Sequence, residues 1–207
     1  MGSRSIKSLL RLTHASMVFK GRVARLAGHI AAIIPAGGTV LDVGCGDGMV
    51  SMSIRGHRPD LRFEGVDIME RPSCQIPMRV YDGTTLPFDD DSFDFVTLVD
   101  VLHHTNDPSV VLKEAVRVAK AGVVVKDHKV IGPLAGPTLR FMGWVGNWGH
   151  DVVLPYNYLT PSQWDAVRSD AGVTVADERT KLRLYPPLAS TLFDRSLHFV
   201  ALLTPES

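Results

Sequence analysis

The sequence predicts an α/β fold: a seven-stranded, mostly parallel sheet with helices on both faces and an antiparallel strand pair at its C-terminal end. Three observations predict it. Between Thr39 and Asp127, short apolar runs alternate with amphipathic helical patterns, as in a parallel sheet covered on both sides. The first run, Val40-Leu41-Asp42-Val43, leads into Gly44-Cys45-Gly46-Asp47-Gly48, a turn with glycine at every second position. After Gly172, two further apolar runs follow each other without a helical pattern between them, which suggests an antiparallel pair. At 207 residues, 45% hydrophobic and 21% charged, the chain has the size and composition of one globular domain.

The elements follow in order. Phe19, Val23, Leu26, Ile30 and Ile33 recur at helical spacing, with Arg22, Arg25 and His29 on another face, until Pro35 and Gly37-Gly38 end the helix. Residues 1–35 read as an N-terminal helical lid or flank. Thr39–Val43 is the first strand, and the stretch from about Gly48 to Arg55 opens a helix. Arg62–Asp67 alternates into a second strand, Met78–Tyr81 is a short third, and Asp94–Asp100 is a buried fourth. Asp107 caps a helix with Pro108 in its first position, and Val111, Ala115 and Val118 repeat along its inner side. Ala121–Asp127 is the fifth strand. Thr160-Pro161-Ser162-Gln163 is a capping box that starts a helix stopped by Gly172. Val173–Leu184 and Leu197–Leu203 complete the sheet. With no repeat and no long linker, residues 1–207 are expected to form one domain.

Composition narrows the function. Lys+Arg and Asp+Glu balance at 22 each, so no global field recruits nucleic acid. Residues 1–41 hold no Asp or Glu but carry Arg4, Lys7, Arg11, Lys20, Arg22 and Arg25. Besides a structural flank, such a helix suits peripheral membrane contact or a transit peptide. Cys45 and Cys74 are too few for a disulfide framework, so a cytoplasmic location is expected. No apolar run reaches the length of a membrane span. Ile6 stands where a myristoylation signal wants Ser or Thr.

The glycine turn holds the chemistry. Glycine lets the chain turn sharply and lets a ligand rest on backbone N–H groups, and the helix behind it favours negative charge. A dinucleotide fingerprint would need glycine at position 49, which is Met49. Asp42, two residues before Gly44, suits a cofactor carrying a cation, such as the amino group of a methionine moiety. The run Val40 to Gly48 resembles the first motif of class I S-adenosylmethionine-dependent methyltransferases. A second stretch, Leu86-Pro87-Phe88-Asp89-Asp90-Asp91-Ser92-Phe93-Asp94-Phe95-Val96, is similar to one found in their small-molecule, ubiquinone/menaquinone-type (methyltransferase type 11) group. The resemblance continues through Val99-Asp100-Val101-Leu102-His103-His104, covers residues 39 to about 127, and fades beyond.

The resemblance implies a Rossmann-like methyltransferase sheet that binds S-adenosylmethionine and releases S-adenosylhomocysteine. It places Gly44, Cys45, Gly46 and Gly48 at the methionine end, with Asp42 on the amino group. Asp67, 19 residues past Gly48, would take the ribose hydroxyls, with Ile68 beside the adenine. Asp82 and Gly83 would sit at the adenine edge, unless Asp82 is an ordinary turn residue. Asp100 and His103 follow the fourth strand on the cofactor side. Adjacent histidines rarely share one ion, and the spacing of Asp100, Asp127 and Asn106 does not match the catechol-type divalent site, so no metal is expected.

Two places are left for the acceptor. Lys126-Asp127-His128 puts three ionisable groups at the end of the fifth strand. His128 could act as a base with Asp127 orienting it, or the trio could be a strand-end ion pair beside a surface histidine. Residues 129–159 are rich in aromatic residues (Phe141, Trp144, Trp148, Tyr156, Tyr158) and in glycine, and they carry His150, a second candidate base. This reads as a substrate lid for a small apolar, aromatic or lipid-like acceptor. The rivals are a nicotinamide-dependent oxidoreductase and a non-catalytic protein on the same fold.

Overall fold

A computed structural model of the chain describes residues 19–146, 155 and 157–206. Seven strands form one sheet in the order β3-β2-β1-β4-β5-β7-β6. The strands are β1 (Gly38–Val43), β2 (Leu61–Asp67), β3 (Met78–Val80), β4 (Phe93–Val99), β5 (Ala119–His128), β6 (Val173–Arg179) and β7 (His198–Pro205). The first five pair in parallel, whereas β7 runs antiparallel to both β5 and β6. The order reverses between β1 and β4, and the crevice at such a switch point is where open parallel sheets bind ligands.

Helices cover both faces. On one side lie α1 (19–33) and α2 (Met49–His57); Leu26, Ala27, Ile30 and Ile33 of α1 are buried with Val40, Phe63, Phe95 and Val124 of the sheet. On the other lie α3 (Pro108–Val118) and α5 (Pro161–Asp170), whose Leu112, Ala115 and Trp164 pack against Val43, Val96, Val125 and Phe199. Each fully buried Leu or Ile there contributes roughly 1.5–3 kcal/mol. The expected caps are present: Asp107 accepts from the Ser109 amide, and Thr160 and Gln163 bond reciprocally.

The second sequence motif turns out to be fold-bearing. Arg117 of α3 donates to the carbonyls of Leu86 and Phe88 and pairs with Asp90 and Glu114. Asp94 accepts from the backbone and hydroxyl of Thr39 at 2.7 and 2.8 Å, tying the start of β4 to β1. Phe88 and Phe93 meet edge to face, 4.9 Å apart.

Two helices are present where the sequence suggested none. α4 (Ala135–Gly146) occupies part of the long connection, and α6 (Pro187–Phe193) separates the last two strands. β6 accordingly ends at Arg179 rather than at Leu184, because Leu182 and Leu184 turn inward to pack beneath α1. Among the described residues, no helix is long and apolar enough to cross a membrane.

Candidate active site

A cavity of about 600 Å³ opens at the β1/β4 switch point, within the range of small-molecule sites. Gly44, Gly46, Asp67, Ile68, Asp82, Gly83 and Asp100 line it, so seven of the residues expected at the cofactor meet in one place. Gly44 (φ 72°) passes so close to Val101 that a Cβ would lie 2.6 Å from its Cγ2. Gly46 (φ 56°) has open space where its Cβ would stand. One glycine is needed by the protein and the other leaves room for something else.

Asp67, 6% exposed at the end of β2, accepts from the amides of Gly46 and Met69, both at 3.0 Å, and lies 3.7 Å from Arg71. Its carboxylate therefore sets the glycine loop and the cavity wall together. Ile68 and Met69 follow it, 59% and 41% exposed, as an apolar surface against the cavity. Asp82 caps its own turn, accepting from Thr84 and Thr85, and those bonds hold its carboxyl below the usual range.

Asp42, Cys45 and Gly48 do not line the cavity. Both carboxylate oxygens of Asp42 are occupied, one by the hydroxyl of Ser51 in α2 and one by that of Thr97 in β4, the latter at 3.0 Å. Burial pushes its pKa up to about 6 against the pull of these two bonds. Asp42 thus fastens β1, β4 and α2 beneath the loop. Cys45 is buried, and that burial pushes its thiol up.

The next layer in is ionic. Lys126, fully buried, donates to Asp100, whose left-handed backbone (φ 58°) turns its carboxylate between Lys126 and Arg22 of α1. Burial opposes ionisation of Asp100, yet Lys126, His128 and Arg22 together hold its carboxyl well below the usual range. Asp127 accepts from His103 Nδ1 at 2.7 Å and from the His128 amide at 2.8 Å. Burial pushes His128 down to about 4 and overrides Asp127 beside it. Asp127 thus orients both histidines, while Lys126 is neutralised by Asp100. His103 and His128 stand inside the wall and do not line the cavity, and His150 lies outside the described residues, with Asn147, Trp148, Asp151 and Tyr156.

Asp100, His103, Asp127 and His128 bring one donor atom each within 4.8 Å of one another, spacing that could suit a metal ion. Lys126 and Arg22 both pair with Asp100, and Asp127 is taken up by His103 and His128, so a divalent ion there would have to displace these partners in a buried site. The 3-10 turn Leu102–His104 separates the adjacent histidines: His103 points inward to Asp127, and His104 faces the cavity. His104 was not singled out in the sequence as a base. Burial, then His103, push it down to about 4, and its Nδ1 is buried without a partner among the described residues.

Comparison with known proteins places this architecture. A methyltransferase-domain profile matches residues 41–125. The ubiquinone biosynthesis O-methyltransferase of Pseudomonas putida is 30% identical over 162 residues, 69% of this chain and 67% of that protein. The chain belongs to the class I S-adenosylmethionine-dependent methyltransferases. Within that family it is also similar to the demethylmenaquinone methyltransferase of Roseiflexus castenholzii, 35% identical over 130 residues, or 58% of this chain; the chain spans about half (54%) of that relative's length. The fold matches the 1,6-didemethyltoxoflavin-N1-methyltransferase of Burkholderia thailandensis, a structure with bound S-adenosylhomocysteine, at a TM-score of 0.62 and 18% identity, over 100% of this chain and 91% of that one. The cavity thus lies wholly in the part of the chain that the family profile matches.

Proposed function

We propose that the chain binds S-adenosylmethionine at the β1/β4 cavity and transfers its methyl group to a small acceptor. The observation that carries this reading is Gly46: open space stands over its Cα, while its amide is already fixed by the Asp67 carboxylate. A cofactor chain lying across the loop fits there, with the ribose toward Asp67 and the adenine between Ile68 and the Asp82–Gly83 turn. When bound, S-adenosylmethionine supplies an electrophilic methyl carbon on a sulfonium. The protein's part is to hold the acceptor in line and keep water out.

His104 is the base this geometry favours, ahead of His128, whose ring is enclosed by His103, Tyr158 and His198. A neutral imidazole with a low pKa is a weak base. It suffices here, because an acceptor hydroxyl becomes strongly acidic as its oxygen takes the methyl group. Asn157 and Tyr158 would form part of the wall of an apolar or aromatic acceptor site: the Asn157 amide donates to the His103 carbonyl at 3.0 Å, and Tyr158 stacks on His103 at 5.1 Å.

Calorimetric titration with S-adenosylmethionine and S-adenosylhomocysteine, with NAD as control, tests the reading. Micromolar binding of the first two alone is expected. Binding of NAD instead would make the chain an oxidoreductase, and binding of none would leave a non-catalytic copy of the fold.

A further inference from the structure

A second cavity, of about 590 Å³, lies between α1 and the segment that follows β6, lined by Arg25, Gly28, His29, Lys181, Leu182 and Arg183. Three of these side chains are cationic, one is an imidazole, and none is acidic. The groove is held in shape by buried anchors. Leu182 and Leu184, 2% and 1% exposed, point into the core, so Lys181 and Arg183 between and beside them are left facing out. Arg183 keeps a left-handed backbone (φ 49°), which a non-glycine residue adopts only when its surroundings impose it. His29 bonds the Leu182 carbonyl at 2.9 Å and Arg25 donates to that of Leu184 at 3.2 Å, locking the segment to α1.

The charge is uncompensated. The neighbouring cations Arg22 and Arg179 have Asp100 and Asp177, but Arg25, Lys181 and Arg183 have no carboxylate in ion-pair contact among the described residues. Residues 1–41, which include all of α1, contain no Asp or Glu to supply one. Like charges gathered on a rigid frame repel one another, and a multivalent anion relieves that cost.

The groove is also next to the reaction. Arg22 lies about one turn of α1 before Arg25. It reaches Asp100 at 3.6 Å, on the wall of the cofactor cavity, and lies 5.5 Å over the ring of Tyr185, just past Arg183. We propose that the groove of Arg25, His29, Lys181 and Arg183 binds a phosphate or diphosphate group, carried by the methyl acceptor. The placement on the acceptor rests on the methyltransferase reading above; the anion site itself does not. A small volume and an otherwise neutral chain favour a compact phosphate-bearing molecule over a nucleic acid.

The test is calorimetric titration of the protein with inorganic pyrophosphate, for wild type and for Lys181→Gln/Arg183→Gln, two exposed positions outside the cofactor cavity. Saturable binding is expected, weakened about tenfold or more in the double variant, as befits the loss of charge-assisted bonds. The variant's thermal melt and its affinity for S-adenosylmethionine should be unchanged, which separates this result from a failure of the cofactor reading. No saturable pyrophosphate binding, or equal binding by the variant, overturns the site. Co-sedimentation with vesicles containing phosphatidic acid decides the source: a soluble acceptor predicts no more binding than to phosphatidylcholine vesicles. Capture by phosphatidic acid that the double variant loses would move the phosphate to a lipid headgroup and overturn its assignment to a soluble acceptor.

Discussion

The ammonium of Lys126, with none of its side chain exposed, is hydrogen-bonded to the carboxylate of Asp100 on the wall of the β1/β4 cavity. A lysine at the end of a buried strand would be costly alone, and the left-handed backbone of Asp100 is what turns a carboxylate toward it. Removing Lys126 leaves Asp100 to the longer contact with Arg22 at 3.6 Å. Lys126→Met should lower stability by about 3 kcal/mol in urea unfolding, and adding Asp100→Asn should restore part of it. If the double variant is no more stable than the single one, the pair is not what holds this strand end.

Asp42 ties three elements through Ser51 and Thr97, and it does so beneath the glycine loop. Thr97→Val keeps the shape of the β4 residue but removes one donor to a buried carboxylate. A loss of about 1–2 kcal/mol is expected. Affinity for S-adenosylmethionine should fall with it, because the loop rests on this anchor. A destabilised variant that binds the cofactor as tightly as wild type would place Asp42 in the fold alone.

Acid should destabilise the protein through its buried histidines before most of its carboxylates titrate. Burial pushes His104 and His128 down to about 4 and His198 well below the usual histidine value. Between about pH 6.5 and 4 the unfolded chain takes up protons on these rings that the folded chain refuses, so stability falls as pH falls. Asp42, raised to about 6 by burial, opposes this, since the folded chain holds more protons there; His103, raised by Asp127 against the effect of burial, acts above about pH 6.5, where its contribution is lost as pH rises. Within this window three groups outweigh one. His198→Phe should flatten the slope of unfolding free energy against pH by up to about 1.4 kcal/mol per pH unit. His198 has no hydrogen-bond partner among the described residues, so the substitution breaks no bond there. An unchanged slope would mean that His198 titrates normally.

Local signals were the legible ones. Gly44 to Gly48, Asp67 and Asp82-Gly83 sit at strand ends, and strand ends follow from hydrophobic period alone. α4 was hidden because Gly136, Pro137, Gly143 and Gly146 read as loop, although its first turn can accept proline. α6 was hidden behind Pro186-Pro187, which starts that short helix. The partners of Asp42 were out of reach, because Thr97 is brought to it only by the pairing of β1 with β4. His103 and His104 could not be told apart by sequence. The turn that sends one inward and the other to the cavity is a tertiary fact, fixed by Asp127.

Gly44 and Gly46 make the sharpest contrast, since both have positive φ yet differ in what stands nearby. An alanine at 44 meets Val101 at 2.6 Å and must distort the loop, so Gly44→Ala should lose stability and cofactor binding together. An alanine at 46 meets nothing within 4 Å, and its cost to the free protein is the left-handed backbone, about 1–2 kcal/mol. Its methyl group would occupy the space proposed for the cofactor. Gly46→Ala should therefore remain folded, with its melting temperature only a few degrees lower, while affinity for S-adenosylmethionine drops at least tenfold. Wild-type affinity in that variant would show that the cofactor does not cross the loop at Gly46. In that case Asp67, whose carboxylate holds the Gly46 amide, would be fixing a turn and not a ligand.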